Sequence, residues 1–294
     1  MIFSPSNPGR QSPPGPSAFT RLELVLMIAL GAVLISLLLG YTRRTTAKVS
    51  AVSCVGNLRQ LGAGVAMYTI GGDAKLPYAS LVFTTRAQST WDTLISPVIR
   101  AEARRAISDP NTAAPGKSFL NPLLLCPSDP VPPAAWAAKN KLPRRSYAIT
   151  RHNMSPQNWP PSANNATGIG LSWTFGSYGT NPPSAKVYNF EQTNRQAAVR
   201  FGMILKPAET LLLTERAWSN NIVGNASGAW IDRTSDHTDA SALAPDALHQ
   251  GRFNYLMLDG HVETLFPHQA VGADGEVGED ARKHLGPWTI RADD

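Results

Sequence analysis

"AFTRLELVLMIALGAVLISLLLG", Ala18 to Gly40, decides how this chain is read: it is almost wholly apolar, yet an arginine and a carboxylate, Arg21 and Glu23, stand at its start. Leu24 to Leu39 carries no charge. Continued to Thr42 as a helix, the run rises about 28 Å, against a hydrocarbon core of about 30 Å. It therefore predicts a single transmembrane segment over about 22–42. A secretory signal peptide would need a basic region directly before the apolar core and a small-residue cleavage site directly after it. Here Arg43 and Arg44 follow the core, and the lipobox-like "AVSC" ending at Cys54 lies too far beyond. A retained helix is the better reading.

Working outward, the preceding "SPSNPGRQSPPGPSA" is a Pro/Gly/Ser segment suited to disorder and proteolysis. All 24 prolines fall outside Ser17 to Leu76. Because an internal proline breaks a helix, that gap predicts one long helix over 19–72. Its second half is amphipathic, with Val52, Val55, Leu58, Leu61, Val65 and Tyr68 spaced by threes and fours. The "IGGDAKLP" from Ile70 to Pro77 supplies the stop. With 294 residues and 43% hydrophobic content, the chain can bury a sizeable core. The net charge of +6 is spread over single residues and pairs, without the basic stripe that a nucleic-acid partner would need.

The start resembles the N-terminal signature of type IV prepilins and pseudopilins. There, a prepilin peptidase cuts a leader just before a phenylalanine that is then N-methylated. The resemblance implies a leader over 1–18, cleavage between Ala18 and Phe19, and Glu23 as the acidic fifth residue of the mature chain. A carboxylate near hydrocarbon calls for a partner, and the new amino group of a neighbouring Phe19 would provide one. The alternative is that Glu23 sits at headgroup level with Arg21. Two positions depart from the family pattern: Ala18 replaces the usual glycine, and Arg21 an apolar third residue. Arg43, Arg44 and Lys48 also lie on the flank opposite to the one the positive-inside rule favours.

Later stretches resemble, in order, blocks of pilin-like proteins with the processing-associated H-X9-DG domain: "SCVGNLRQLGAGVAMY", "LLLCPSDP", "RRSYAIT", "KPAETLLLTERAW" and "HQGRFNYLMLDGHVETL". His249, Asp259 and Gly260 match the named motif. The resemblance implies a non-enzymatic pseudopilin subunit assembled into a type II secretion or type IV pilus-like filament. Its partners would be a prepilin peptidase, other pilin-like subunits and an inner-membrane secretion or pilus platform. It would cross the bacterial inner membrane once, with the leader cytoplasmic and the C-terminal head periplasmic or extracellular. The runner-up function is a membrane-tethered periplasmic ligand- or glycan-binding domain using Trp159, Trp173, Trp218 and Trp230.

Read from its residues alone, the C-terminal block is a hairpin. "RFNYLML" alternates Phe253, Tyr255 and Met257, Asp259-Gly260 suits a two-residue type I′ turn, and "HVETLF" returns. His249 and Asp259 then flank one extended strand and cannot share a metal or proton without a fold-back. "AVRFGMIL", "TLLLTERAW" and "GAWIDR" also read as strands, with Glu215 ending one of them and pairing with a sheet arginine by default. The expected class is α+β: one long N-terminal helix, membrane-spanning in its first half, packed on an antiparallel sheet with long loops over 73–294.

Chemistry is sparse. Two cysteines cannot build a structural zinc site, and no HExxH or CxxC spacing occurs, so no metal and no cofactor are expected. Asp232, Asp236 and Asp239 could offer loop oxygens to calcium, as in the major pseudopilins, or form a solvated loop. In the exported head that the resemblance implies, Cys54 and Cys126 are expected to form a disulfide; two small buried hydrophobes are the alternative.

Overall fold

The computed structural model describes residues 20–82, 88–99, 121–152, 168–174, 198–238, 248–272, 275–279 and 286–290; side chains are described for 20–37 and from 50 onward in the first helix. The expected leader, the Ala18/Phe19 junction, Trp159 and Asp239 lie outside these residues, as does the Trp173 side chain. The chain divides into two compact units, residues 1–46 and 47–294.

A helix, α1, runs over Arg21–Gly71, close to the expected bounds, and contributes to both units. Its first turn is closed by a capping box. The Glu23 carboxylate accepts from the Thr20 backbone N–H at 2.8 Å and from the Thr20 hydroxyl at 3.0 Å, while the Glu23 N–H donates to Thr20 Oγ1 at 3.3 Å. These bonds, the backbone one foremost, hold the Glu23 carboxyl below its ordinary pKa.

Among the described residues, no helix is long and apolar enough to cross a membrane. The expected transmembrane segment over about 22–42, and with it the single-pass inner-membrane placement, is thereby corrected.

The fold class is corrected as well. The sheet has eight strands and is mixed, not antiparallel. Its order is β2 (Gln88–Thr90), β1 (Ser80–Val82), β4 (Gly170–Thr174), β3 (Tyr147–His152), β5 (Leu211–Glu215), β7 (Phe253–Met257), β8 (Val262–Leu265), with β6 (Trp230–Ile231) also pairing with β3. The pairs β1/β4, β3/β4 and β3/β6 are parallel. Parallel strands need crossover connections, and here the chain between β1 and β4 includes the helix α2 (Trp91–Ile99) and β3 itself.

The central strands are buried on both faces, so a two-residue alternation is hidden in them. On one face Tyr147, Ile149, Leu213 and Leu256 pack with Cys54, Leu58, Leu61 and Val65 of α1. On the other, Ala148, Leu211, Phe253, Tyr255 and Met257 pack with Val271 and Trp288. Cys54 belongs to the buried stripe of α1, whereas Val52, expected there, is 72% exposed.

Two other local expectations shift. "AVRFGMIL" forms a bridge at Arg200 and a 3-10 turn, Phe201–Met203. The β7–β8 hairpin closes with Met257 N–H on His261 O and Gly260 N–H on Met257 O. Gly260, at φ 96°, is the one residue of the turn with positive φ. A type I′ turn needs two such residues, so the loop is the three-residue kind ending in a left-handed glycine.

Gly228 also sits at positive φ, 75°, and an added Cβ would lie 2.7 Å from Asn221 Cα. Its neighbour Ala229 accepts both the Trp91 indole N–H and the Ile149 N–H. Gly228→Ala is expected to lower the unfolding free energy by about 2–4 kcal/mol, measured by urea titration.

Candidate functional site

Four sequence-distant residues of the second unit converge where α1 meets the sheet. Cys54 comes from the buried stripe of α1, and Cys126 follows the short helix Asn121–Leu124. Glu215 ends β5, and His249 opens the turn before β7. Cys54 and Cys126 form a disulfide, with Cα atoms 4.9 Å apart. The "LLLCPSDP" run that carries Cys126, strand-like in sequence, is a helical turn and then a tight turn, with Asp129 N–H on Cys126 O. Two more bonds tie α1 to these elements: Asn57 Nδ2 donates to Leu125 O, and the Tyr147 hydroxyl donates to Cys54 O.

Glu215 is fully buried and, among the described residues, pairs with His249 and not with the expected arginine. Oε1 accepts from His249 Nε2 at 2.8 Å and from Asn254 Nδ2 at 3.0 Å, and Oε2 accepts from the Asn254 backbone N–H at 2.9 Å. Asn254 is fixed in turn by Thr264, whose hydroxyl donates to its Oδ1. A buried carboxylate held by three donors is stable without a full counter-charge.

His249 Nε2 also lies 3.4 Å from Cys126 Sγ. Carboxylate oxygen and disulfide sulfur are both acceptors, so Nε2 carries the proton and is shared between them. Burial pulls the His249 pKa down, but the Glu215 hydrogen bond, the Glu215 charge and the Asp129 charge outweigh it and raise the value above the ordinary one. The backbone that presents this imidazole is strained. His249, Gln250 and Gly251 have φ of 46°, 62° and 83°, three successive left-handed residues of which only one is glycine. Strain of this kind collects where structure around a site over-determines it.

A second histidine braces the same glutamate from behind. His237 Nδ1 is 2.6 Å from Glu215 O and Nε2 is 2.8 Å from the Tyr255 hydroxyl. The carbonyl can only accept, so Nδ1 is the donor, and Nε2 accepts from the tyrosine in the neutral ring. The ring stacks on Phe253 at 4.1 Å. Burial pushes its pKa down to about 4.

An unfolded chain would protonate His237 near 6.5, so the unfolded state binds more protons between about 6.5 and about 4. Stability is then expected to fall by about 3 kcal/mol in all as pH drops through that window. His249, with its pKa raised, works the other way: it adds stability below its ordinary pKa that is lost as pH rises through the raised one. Urea midpoints across the window check the first effect, and the acid loss should be flattened in His237→Gln.

The arrangement is one of acid–base and ligand chemistry. The Glu215–His249 pair points an N–H at the Cys126 sulfur and would stabilise a thiolate there if the bridge opened. One ligand atom from each of Cys54, Cys126, Glu215 and His249 lies within 4.8 Å of all the others. Sequence spacing hides this set, because positions 54, 126, 215 and 249 share no local motif. The histidine of H-X9-DG was visible as a motif and the Cys54–Cys126 pair as an expected disulfide, but not that Glu215 and His249 join that pair.

His249 and Asp259 lie at the two ends of β7 and are not brought together; Asp259 instead bonds the His261 ring at 2.7 Å. Asp232 pairs with Arg151 in an ion pair, and Asp236 follows in the 3-10 turn Thr234–His237. Arg216 stacks on Trp218 and Arg151 on Trp230, at 4.8 and 3.6 Å, so those two indole faces are covered by guanidinium groups. Trp91 and Trp288 are buried in the two cores. Compared with known proteins, the chain matches no family model, no curated protein and no solved structure.

Proposed function

We propose that this chain is a non-enzymatic pilin-like subunit of the pseudopilin kind. A prepilin peptidase cuts it between Ala18 and Phe19, Phe19 is N-methylated, and α1 packs with the corresponding helices of other pilin-like subunits. The product is a type II secretion or type IV pilus-like filament built on a secretion or pilus platform. One observation carries the reading beyond the sequence resemblance. Every large apolar side chain of α1 from Leu22 to Leu37 is between 53% and 79% exposed. Monomeric proteins rarely leave so large a contiguous apolar surface uncovered. Neighbouring helices of the same kind, arranged as a bundle, are the cover a filament provides.

The test is photo-cross-linking in cells from residues placed at Leu26 and Leu30. The expected result is a ladder of linked pilin-like subunits; a monomer band alone overturns the proposal. Glu23 can be examined in the same assay, because glutamine keeps a capping box while alanine destroys it. If the Glu23 charge pairs with a neighbour's amino terminus, Glu23→Gln and Glu23→Ala both lose the ladder. If Glu23 serves only to cap α1, Glu23→Gln keeps it.

A further inference from the structure

We propose that the Cys54–Cys126 bridge is a latent metal site: reduction by a dithiol converts it, with Glu215 and His249, into a four-ligand site for Zn²⁺. The donor set is the one zinc takes, two thiolates, an imidazole and a carboxylate, and four protein ligands make a closed structural site. The four ligand atoms are already within 4.8 Å of one another. Bonds of about 2.0–2.3 Å put the ligand atoms of a tetrahedral zinc site about 3.3–3.8 Å apart. His249 Nε2 meets that spacing toward Cys126 Sγ at 3.4 Å and falls slightly short of it toward Glu215 Oε1 at 2.8 Å. The main movement is the separation of the two sulfurs now bonded to one another.

The balance is simple. The dithiol gives two electrons and two protons, becomes a disulfide itself, and leaves Cys54 and Cys126 as thiols. Zn²⁺ then displaces the two thiol protons to solvent. The Nε2 proton of His249 moves to Nδ1, freeing the Nε2 lone pair. The Glu215 carboxylate binds as it stands, and the Asn254 backbone N–H remains on its second oxygen as the supporting contact such ligands require.

The consequence is mechanical. The covalent tie between α1 and the segment carrying Cys126 would be exchanged for a metal that also ties β5 and the left-handed turn at His249. The attachment of α1 would survive a reducing compartment as long as metal is present.

The full-length chain, reduced with a water-soluble phosphine to avoid thiol chelators, should be titrated with Co²⁺ as the spectroscopic stand-in for Zn²⁺. The expected result is one Co²⁺ per chain, with the visible bands of tetrahedral cobalt and a sulfur-to-cobalt charge-transfer band, both bleached by Zn²⁺. The oxidised chain should show neither. His249→Ala and Glu215→Gln should each weaken uptake by more than about tenfold, since losing merely a supporting contact already costs that much. Circular dichroism follows the fold throughout. The proposal is overturned if the reduced chain takes up no cobalt, folded or not. It is equally overturned if uptake lacks the charge-transfer band, or if it is unchanged in His249→Ala, which would leave the two cysteines binding adventitiously.

Discussion

Asp92→Ala is expected to lower the unfolding free energy by about 3–5 kcal/mol, the cost of leaving a buried charge without its partner. Arg145 and Asp92 are both fully buried, with Arg145 Nη1 2.5 Å from Asp92 Oδ1. The guanidinium also donates from Nε to Asn221 Oδ1 at 2.6 Å and from Nη2 to the Asn225 carbonyl at 2.6 Å. Asp92 Oδ2 in turn accepts the Gly224 N–H at 2.9 Å. The pair thus joins α2 to the segment that leads into β3 and to the loop that leads into β6. Removing the carboxylate leaves a guanidinium that cannot deprotonate and a backbone N–H without an acceptor. A combined Asp92→Leu and Arg145→Met change should cost less than Asp92→Ala, because no charge is stranded, although the acceptors at 221 and 225 still lose their donor. Urea unfolding of both variants checks the order. A loss below about 1 kcal/mol in Asp92→Ala would mean that water reaches Arg145.

The second large effect concerns the bridge. Cys54 and Cys126 are separated by 72 positions, and closing a loop of that length removes about 4 kcal/mol of chain entropy from the unfolded state. Cys54→Ala with Cys126→Ala should therefore lower stability by about 4 kcal/mol, or about 8–16 °C in Tm for a domain of this size. The double replacement is chosen because it leaves no thiol to bind metal, so the loss stays the same with or without added Zn²⁺. A loss below about 1 kcal/mol would show that the unfolded chain is already held compact by other means.

Parts of this molecule were legible because their signals are local. A proline-free window and three-and-four spacing located α1 nearly to its ends, and the Asp259-Gly260 dipeptide located the β7–β8 hairpin. The capping box is a local signal too, the Thr20-to-Glu23 spacing of "TRLE". The parallel pairings of β1, β4 and β6 were not legible. Strands of two to five residues carry too few positions for an alternation to be read. "AVRFGMIL" misled because a short apolar run does not distinguish a strand from a turn.

Half of the candidate site was legible: Cys54 and Cys126 were expected to form a disulfide and do, whereas their junction with Glu215 and His249 was not readable. Glu215 looked like the end of a strand, Cys126 like part of one, and His249 like a strand entry. Only the β5–β7 pairing, the disulfide and a left-handed turn set them side by side.

The proposal that this chain is a processed pilin-like subunit rests on what happens at Phe19, and intact mass of the protein isolated from cells with an active prepilin peptidase measures that directly. The expected mass is that of a chain that begins at N-methylated Phe19, lacking residues 1–18 and carrying one added methyl group. A mass corresponding to an intact start at Met1, without methylation, would contradict it.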